Sequence, residues 1–364
     1  MNNKLYRRVT IKVGSNVLTR PDGTLDVTRV ASLVDQISVL RREGIEIVLI
    51  SSGAVACGRS ELRHMDTTGL NDVDRRQLFS AVGQVKLINR YYDLFRDYGI
   101  EVGQVLTMKE NFSTRRHYLN QRNCMEVMIQ NGVLPIVNEN DTVSLTELMF
   151  TDNDELSGLI ASMLDCDALV ILSNIDGIFD GDPKDPQSRV IERVDPDKDL
   201  SEYILIERSG FGRGGMVTKY NIARKVANEG IEVIIANGKR EGVLTALLLN
   251  KNAAIPATRF YPVQNGTNSL KRWIAHSEGF AKGRIVIDDK AVKVITTNHA
   301  VSLLPVGVKE VEGVFEKDDL INIYALNGKH IGIGRSSYSS EEALQAIGKH
   351  DMKPMVHYDY LYIF

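Results

Sequence analysis

Pro135-Ile136-Val137-Asn138-Glu139-Asn140-Asp141, followed by Thr151-Asp152-Asn153-Asp154, is the stretch on which fold and chemistry both turn. The apolar run from Val133 to Val137 has the length of a buried strand, and it stops abruptly in amides and carboxylates. The second polar cluster opens a helix-like run, Glu155 to Leu164. In an open α/β sheet, ligands sit outside the carboxyl ends of strands and against helix N-termini. Asn supplies a donor and an acceptor, whereas Asp accepts hydrogen bonds or holds a cation. Such a mixture suits a small zwitterion with an ammonium and carboxylates. Asn and Asp are equally the usual residues of polar turns and helix caps, so taken alone the stretch leaves both interpretations open.

Working outward, strand-like and helix-like segments alternate from Arg8 to about Asn250. Val9–Val13, Ile45–Ile50, Ile100–Leu106, Val133–Val137, Ala168–Leu172 and Ile231–Ala236 read as strands. Val27–Glu43, Val73–Tyr98, Ser113–Asn131, Glu155–Leu164 and Val217–Glu229 read as helices. Asp26 is placed as an N-cap, Gly44 lies just past a helix end, and Gly83 marks a candidate break. Several strands are apolar on both faces, as expected when helices cover a mostly parallel sheet. The expected fold is an α/β three-layer sandwich with a mostly parallel central sheet.

A chain of 364 residues exceeds one ordinary domain. The pattern changes at Ala254-Ile255-Pro256-Ala257-Thr258 and Tyr261-Pro262-Val263-Gln264-Asn265-Gly266, which read as a connector. The expected division is residues 1–255, a linker at 256–269, and a second domain at 270–364. Short β runs dominate that second domain: Arg284–Ile287, Val292–Ile295, Val308–Val314, Leu320–Tyr324 and Ile331–Gly334, with a last helix at Ser340–Ile347. This is the pattern of a small β-barrel.

A net charge of −3 argues against a dedicated nucleic-acid or membrane-surface binder. Cys57, Cys124 and Cys166 are widely spaced and form no metal-ligand pattern, as in a reduced protein. The residues from Met1 to Arg8 lack the apolar core of a signal peptide, and no apolar run approaches membrane-spanning length. The expectation is a soluble, cytoplasmic protein.

Three further segments carry chemistry. Lys12 lies inside an apolar strand that exits through Gly14-Ser15, and a Lys there is costly unless its ammonium meets an anion. A Gly-Ser turn exposes backbone N–H groups suited to phosphate. The second strand exits into Ser51-Ser52-Gly53-Ala54-Val55-Ala56-Cys57-Gly58, where small residues let a ligand approach the backbone. Ser209-Gly210-Phe211-Gly212-Arg213-Gly214-Gly215-Met216-Val217-Thr218-Lys219 is a glycine-rich loop entering a helix, without the Gly-Lys-Ser/Thr of a Walker A loop. Lys219 in a first helical turn opposes the helix dipole unless an anion sits there. Two lysines, backbone-rich turns and an acid/amide cluster together point to phosphoryl transfer, which is mainly positioning and charge neutralisation. No Ser-His-Asp or Cys-His arrangement competes, and no Gly-x-Gly-x-x-Gly follows the first strand.

Ile11-Lys12-Val13-Gly14-Ser15-Asn16-Val17-Leu18-Thr19, Ser51–Gly58, Val137–Asp141, Asp152–Ser157 and Gly214–Lys219 resemble, in their order, the motifs of the amino acid kinase family in its glutamate 5-kinase branch. The tail from Arg284 through Ser302–Val308 and Gly313–Asp319 to Gly334 resembles a PUA domain. The resemblance implies ATP-dependent phosphorylation of the L-glutamate side-chain carboxylate to L-glutamyl 5-phosphate, the first step of proline synthesis. It implies that Lys12 and Lys219 neutralise phosphoryl oxygens, that Asp154 orients both lysines, and that Gly14 and Ser15 line the phosphate path. It implies that Ser52, Gly53, Ala54, Asn138, Asp141 and Asn153 hold glutamate. It places ATP against Ser173, Asn174 and the loop Arg213, Gly214, Gly215, Met216, Val217, Thr218, Lys219, with Mg²⁺ bridging its phosphates. A homo-oligomer, feedback inhibition by proline and transfer of product to glutamyl phosphate reductase follow from the same resemblance. A carboxylate is already a nucleophile at neutral pH, so no general base is required.

The chain departs from the family pattern in three places. Ser173-Asn174 stands for the usual Thr-Asp, Arg213 and Val217 for the Thr and Ser of the usual Thr-Gly-Gly-Met-Ser-Thr-Lys, and Asp318 for the Gly that PUA domains carry before Asp319. From Ala281 onward ten Lys/Arg meet eleven Asp/Glu, which argues against RNA binding by the tail. The competing expectations are an aspartate or acetylglutamate kinase of the same family, and an RNA-associated protein with a degenerate kinase domain.

Overall fold

The computed structural model describes residues 6–112, 114–143, 153–196, 198–200, 203, 215–250, 254–263, 273–274, 278–297 and 301–364. Of the residues singled out from sequence, Thr151, Asp152, Ser209 to Gly214 and Gln264 to Gly266 lie outside them.

β1 (Arg8–Val13) is buried along its whole length and pairs in parallel with β2 (Glu46–Ser51) on one side and β5 (Ala168–Ser173) on the other. It is therefore a central strand, which rules out an edge Lys12 reaching to solvent. Around it come β3 (Val102–Thr107), β4 (Leu134–Glu139), β6 (Arg193–Val194), β7 (Glu232–Asn237) and β8 (Ala257–Phe260), in the order β3-β4-β2-β1-β5-β7-β8-β6. Every described pairing in this sheet is parallel except β7 with β8. Runs such as Ile47–Ile50 and Leu169–Leu172 are buried on both faces, the signature of a helix-covered parallel sheet.

The helices of this unit are α1 (Ser15–Leu18), α2 (Val27–Arg42), α3 (Ala54–Glu61), α4 (Asp72–Arg96), α5 (Arg115–Gln130), α6 (Asn153–Met163), α7 (Met216–Asn228) and α8 (Val243–Leu249). Val9, Ile11 and Val13 join the α2 and α8 side chains in one apolar cluster. The alternate face of β1 meets α6, where the Thr10 hydroxyl lies 3.3 Å from Cys166 Sγ. The expected three-layer α/β sandwich is what forms. Asp26 caps α2 by accepting from the Arg29 N–H, and Asn71 caps α4 in the same way from Asp74.

Three expectations need correction. α4 runs unbroken through Gly83, because that glycine serves packing: a Cβ there would lie 1.8 Å from the Ala54 carbonyl oxygen of α3. The supposed connector at 256–269 starts inside the sheet, since β8 hydrogen-bonds both β7 and β6. Val292–Ile295 is helical, within α9 (Asp289–Thr297), because Asp288 accepts from the Ala291 N–H and caps a turn that buries Ile295.

Cα packing separates residues 112–118 and 267–364 as a second compact unit. It contains β9 (Gly283–Ile287), β10 (Val308–Gly313), β11 (Leu320–Ala325), β12 (His330–Ser336), α10 (Ser340–Ala346) and β13 (Val356–Ile363), with strand order β10-β9-β11-β12-β13. Its own core gathers Ile285, Phe315, Ile321, Ile323 and Val356. Asp318 has φ +74°, the left-handed region in which glycine is least strained and which Asp enters more readily than most residues.

Candidate active site

The residues expected to carry chemistry collect at the carboxyl ends of β1, β2, β4, β5 and β7, where an open parallel sheet presents ligands. At the centre, Asp154 opens α6 with its carboxylate fully buried. Its Oδ1 lies 2.5 Å from Lys12 Nζ and its Oδ2 lies 2.9 Å from Lys219 Nζ. Lys12 is 5% exposed, held in mid-sheet by the register of β1 against β2 and β5. Burial alone would push the Asp154 carboxyl up, but the two ammonium groups outweigh it and hold the carboxyl below its usual range. The conflict noted for Lys219, a cation in a first helical turn, is resolved by this carboxylate. One carboxylate between two lysines leaves the cluster one positive charge in excess, facing the strand exits.

Backbone geometry prepares the same region for anions. Gly53 has φ +109°, which only glycine adopts without strain, and α3 starts immediately after it. Neither α3 nor α7 has an acidic residue in its first turn, so their leading N–H groups have no anionic side chain of their own. Gly215 precedes α7 as its cap residue, followed by Met216, Val217, Thr218 and Lys219 in the first turn. Gly14 N–H donates to the Leu172 carbonyl and Ser52 N–H to the Val13 carbonyl, both at 3.1 Å. These bonds tie the exits of β1, β2 and β5 together. A Cβ on Gly14 would sit 3.3 Å from the Leu172 carbonyl oxygen and 3.6 Å from Lys12 Nζ, so a side chain here would lie against the lysine. Ser15 opens α1 directly after it.

A second constellation lies beside the lysines. The Asn153 amide donates to Ser52 Oγ at 2.8 Å and to Asn138 Oδ1 at 3.0 Å. Asn138 in turn donates to Gln84 Oε1 at 2.9 Å. Ser52, Asn138 and Asn153 thus come together from three elements, next to Gly53 and Ala54. Asp141 is held on the α4 side: Arg76 donates to its Oδ1 through Nη2 at 2.7 Å and Nε at 3.2 Å. Sequence reasoning missed Arg76 and Gln84, which look like ordinary polar positions of a long helix. The signal available was a Gln on the buried face of α4, costly without a partner.

On the far side of β1, Ser173 ends β5 and is buried, with Asn174 beside it. The Ser173 carbonyl accepts from Gly238 N–H at 2.8 Å, which joins the exits of β5 and β7. Arg240 and Asp176 pair in two hydrogen bonds of 2.6 and 2.7 Å just beyond. The Arg240 guanidinium lowers the Asp176 carboxyl. This ion pair was not anticipated either. It links the loop after β5 to the loop after β7.

The amino acid kinase family model matches residues 7–237 and the PUA domain model matches residues 283–358. The chain belongs to the amino acid kinase family. A curated "Glutamate 5-kinase" of Bacteroides thetaiotaomicron is 62% identical over 358 residues, covering 98% of this chain and 99% of the relative. One of Chlorobaculum tepidum is 47% identical over 361 residues, covering 99% and 98%. Within the family, the chain belongs with the glutamate 5-kinases. Among solved structures, "Carbamate kinase from Giardia lamblia bound to AMP-PNP" superposes with a TM-score of 0.53 at 18% identity, over 71% of this chain and 99% of that one, a likeness of fold. No helix among the described residues is long and apolar enough to cross a membrane.

Proposed function

We infer that this amino acid kinase transfers the γ-phosphoryl group of ATP to the γ-carboxylate of L-glutamate, giving L-glutamyl 5-phosphate and ADP. The observation that carries it is Asp154 between Lys12 and Lys219, a few residues from the Ser52–Asn153–Asn138 cluster. A γ-carboxylate oxygen forms the new O–P bond as the bond from Pγ to the ADP oxygen breaks. Negative charge is spread over the equatorial oxygens and the leaving oxygen. Two ammonium groups held on one buried carboxylate are preorganised for that charge. Asp154 stays ionised, and it orients the lysines without moving a proton. The acceptor is ionised at neutral pH, so no base is needed.

Ser52, Gly53, Ala54, Asn138, Asp141 and Asn153 are assigned to glutamate. Gly14, Ser15, Ser173, Asn174 and the segment Gly215–Lys219 are assigned to ATP, with Arg213 and Gly214 continuing that loop. Asp154 is occupied by the two lysines. Mg²⁺ is assigned to the ATP phosphates, whose oxygens suit it. Proline feedback, a homo-oligomer, a cytoplasmic location and product hand-over to glutamyl phosphate reductase complete this proposal on the strength of the family resemblance.

The test is glutamate-dependent ADP release with hydroxylamine present to trap the acyl phosphate as hydroxamate. L-Glutamate should give hydroxamate where L-aspartate and N-acetyl-L-glutamate do not. A preference for either of those acceptors, or no hydroxamate across a range of ATP and Mg²⁺, would reject the assignment.

A further inference from the structure

Gln84 sits on the buried face of α4, between Ser80 and Leu87, and is 8% exposed. Its one side-chain hydrogen bond among the described residues is the one it accepts from Asn138 Nδ2. From there the amides continue as a relay: Asn138 Oδ1 accepts from Asn153 Nδ2, which also donates to Ser52 Oγ. A chain of amides can run in either sense, because reversing each one keeps every contact. The two senses differ at the ligand end. In the observed sense both Asn153 N–H bonds are used, so its Oδ1 is an acceptor with no hydrogen bond among the described residues. Ser52, already accepting, has its own hydroxyl hydrogen to donate. One acceptor beside one donor matches the ammonium and carboxylate of an α-amino acid. Reversed, Asn153 would present N–H groups and repel the ammonium.

Something must select the sense, and Gln84 is the end of the relay where that choice is made. It lines a cleft of about 310 Å³ whose wall includes Glu139 and Asp141. These two carboxylates outnumber the one guanidinium beside them, Arg76 on Asp141 at 2.7 Å, and the net negative wall favours the amide nitrogen on the cleft side and so the oxygen on the Asn138 side. We propose that Gln84 is a positioning residue that fixes the polarity of the Asn138–Asn153–Ser52 relay and thereby makes the acceptor site select an α-ammonium group. This rests on the glutamate assignment above.

Gln84→Glu leaves only acceptors at this end and preserves the sense, whereas Gln84→Lys leaves only donors and imposes the reverse. The measurement is the kcat/KM preference for L-glutamate over glutarate, which differs only by lacking the ammonium, followed by ADP release in each variant. Gln84→Glu should keep the preference within about threefold. Gln84→Lys should narrow it by about tenfold or more, through KM for L-glutamate with KM for ATP unchanged, the size of one hydrogen bond to a charged group. Where the Lys variant does not fold, Gln84→Met should narrow it in the same direction. Equal losses for both acceptors, an unchanged preference in Lys or Met, or a narrowed preference in Glu would each overturn the role of Gln84. A folded wild-type protein with no turnover of L-glutamate would instead overturn the glutamate assignment, and this inference with it.

Discussion

Lys12 near the carboxyl end of β1 and Asp154 at the start of α6 meet at 2.5 Å with almost no access to water. Asp154→Asn would leave two buried ammonium groups facing each other without a counter-ion. Breaking a buried pair from one side costs about 3–5 kcal/mol. The Asp154 carboxyl is held below its unfolded value, so its contribution is fully present above about pH 4 and lost as pH falls through the folded value. Urea midpoints should therefore separate wild type from Asp154→Asn at neutral pH, with the gap closing only below about pH 4. A gap that closes between pH 8 and 6 would point to another group.

Lys219 shares the same carboxylate but belongs to a helix N-terminus, where its charge is unfavourable except for Asp154 and a phosphoryl group. Lys219→Ala should lower kcat by about 10²- to 10³-fold while the protein stays folded, since it removes charge stabilisation from the transition state. Far-ultraviolet circular dichroism and single-turnover rates check both halves. Turnover near wild type would remove Lys219 from the chemistry.

Gly83 and Gly58 bring α3 and α4 together: a Cβ at either would lie 1.8 Å from a backbone carbonyl oxygen, of Ala54 and Phe79 respectively. Backbone cannot swing aside as a flexible side chain can. Gly83→Ala should destabilise by about 1–3 kcal/mol or more, as overpacking does, with the urea midpoint lowered and m unchanged. KM for glutamate should rise as well, because the displaced Ala54 opens the turn after Gly53.

How much of this was legible depended on whether the deciding partner was near in sequence. β1, β2, β4, β5 and β7 were legible because each is an apolar run closed by a polar exit. Lys12 and Lys219 were legible because each breaks a local rule that only an anion repairs, whereas Asp154, favourable at a helix start, was tied to them only by the family resemblance. Gly83 was read as a break because its partner, the Ala54 carbonyl, lies on another helix. Gln84 and Arg76 were invisible for the same reason, as their partners stand at the end of β4 and just beyond it. β8 was hidden by Pro256 and Pro262, which flank four pairing residues, and α9 by the apolar Val292 and Ile295, which fit a strand as well as a helix.

The three cysteines differ enough in surroundings to give a count. Cys57 and Cys166 are buried, and burial pushes their thiols up to about 11 and about 12, whereas Cys124 is exposed on α5. The thiolate is the reactive form, so at pH 8 the buried pair hold about 10⁻³ or less of it. A disulfide reagent should titrate one thiol in the native protein and three in denaturant. Protection that covers Cys124 as well would indicate a partner over α5.

Arg76 reaches from α4 to Asp141 in two hydrogen bonds, while the neighbouring Gln77 donates to the Thr142 carbonyl at 2.9 Å. Together they pin the segment that leaves β4 beyond Asn138. Arg76 has 41% of its side chain exposed, so its pair with Asp141 is partly screened and contributes little to global stability. Its effect should be local. In Arg76→Ala the Asp141 carboxylate loses its cationic partner and keeps only the Ser80 hydroxyl, and KM for L-glutamate should rise by about tenfold, with KM for ATP and the urea midpoint nearly unchanged. Arg76→Lys should recover only part of the loss, because an ammonium does not reproduce the two-pronged guanidinium contact. Equal increases in both KM values would mean that α4 supports the fold as a whole and not the glutamate end of the site.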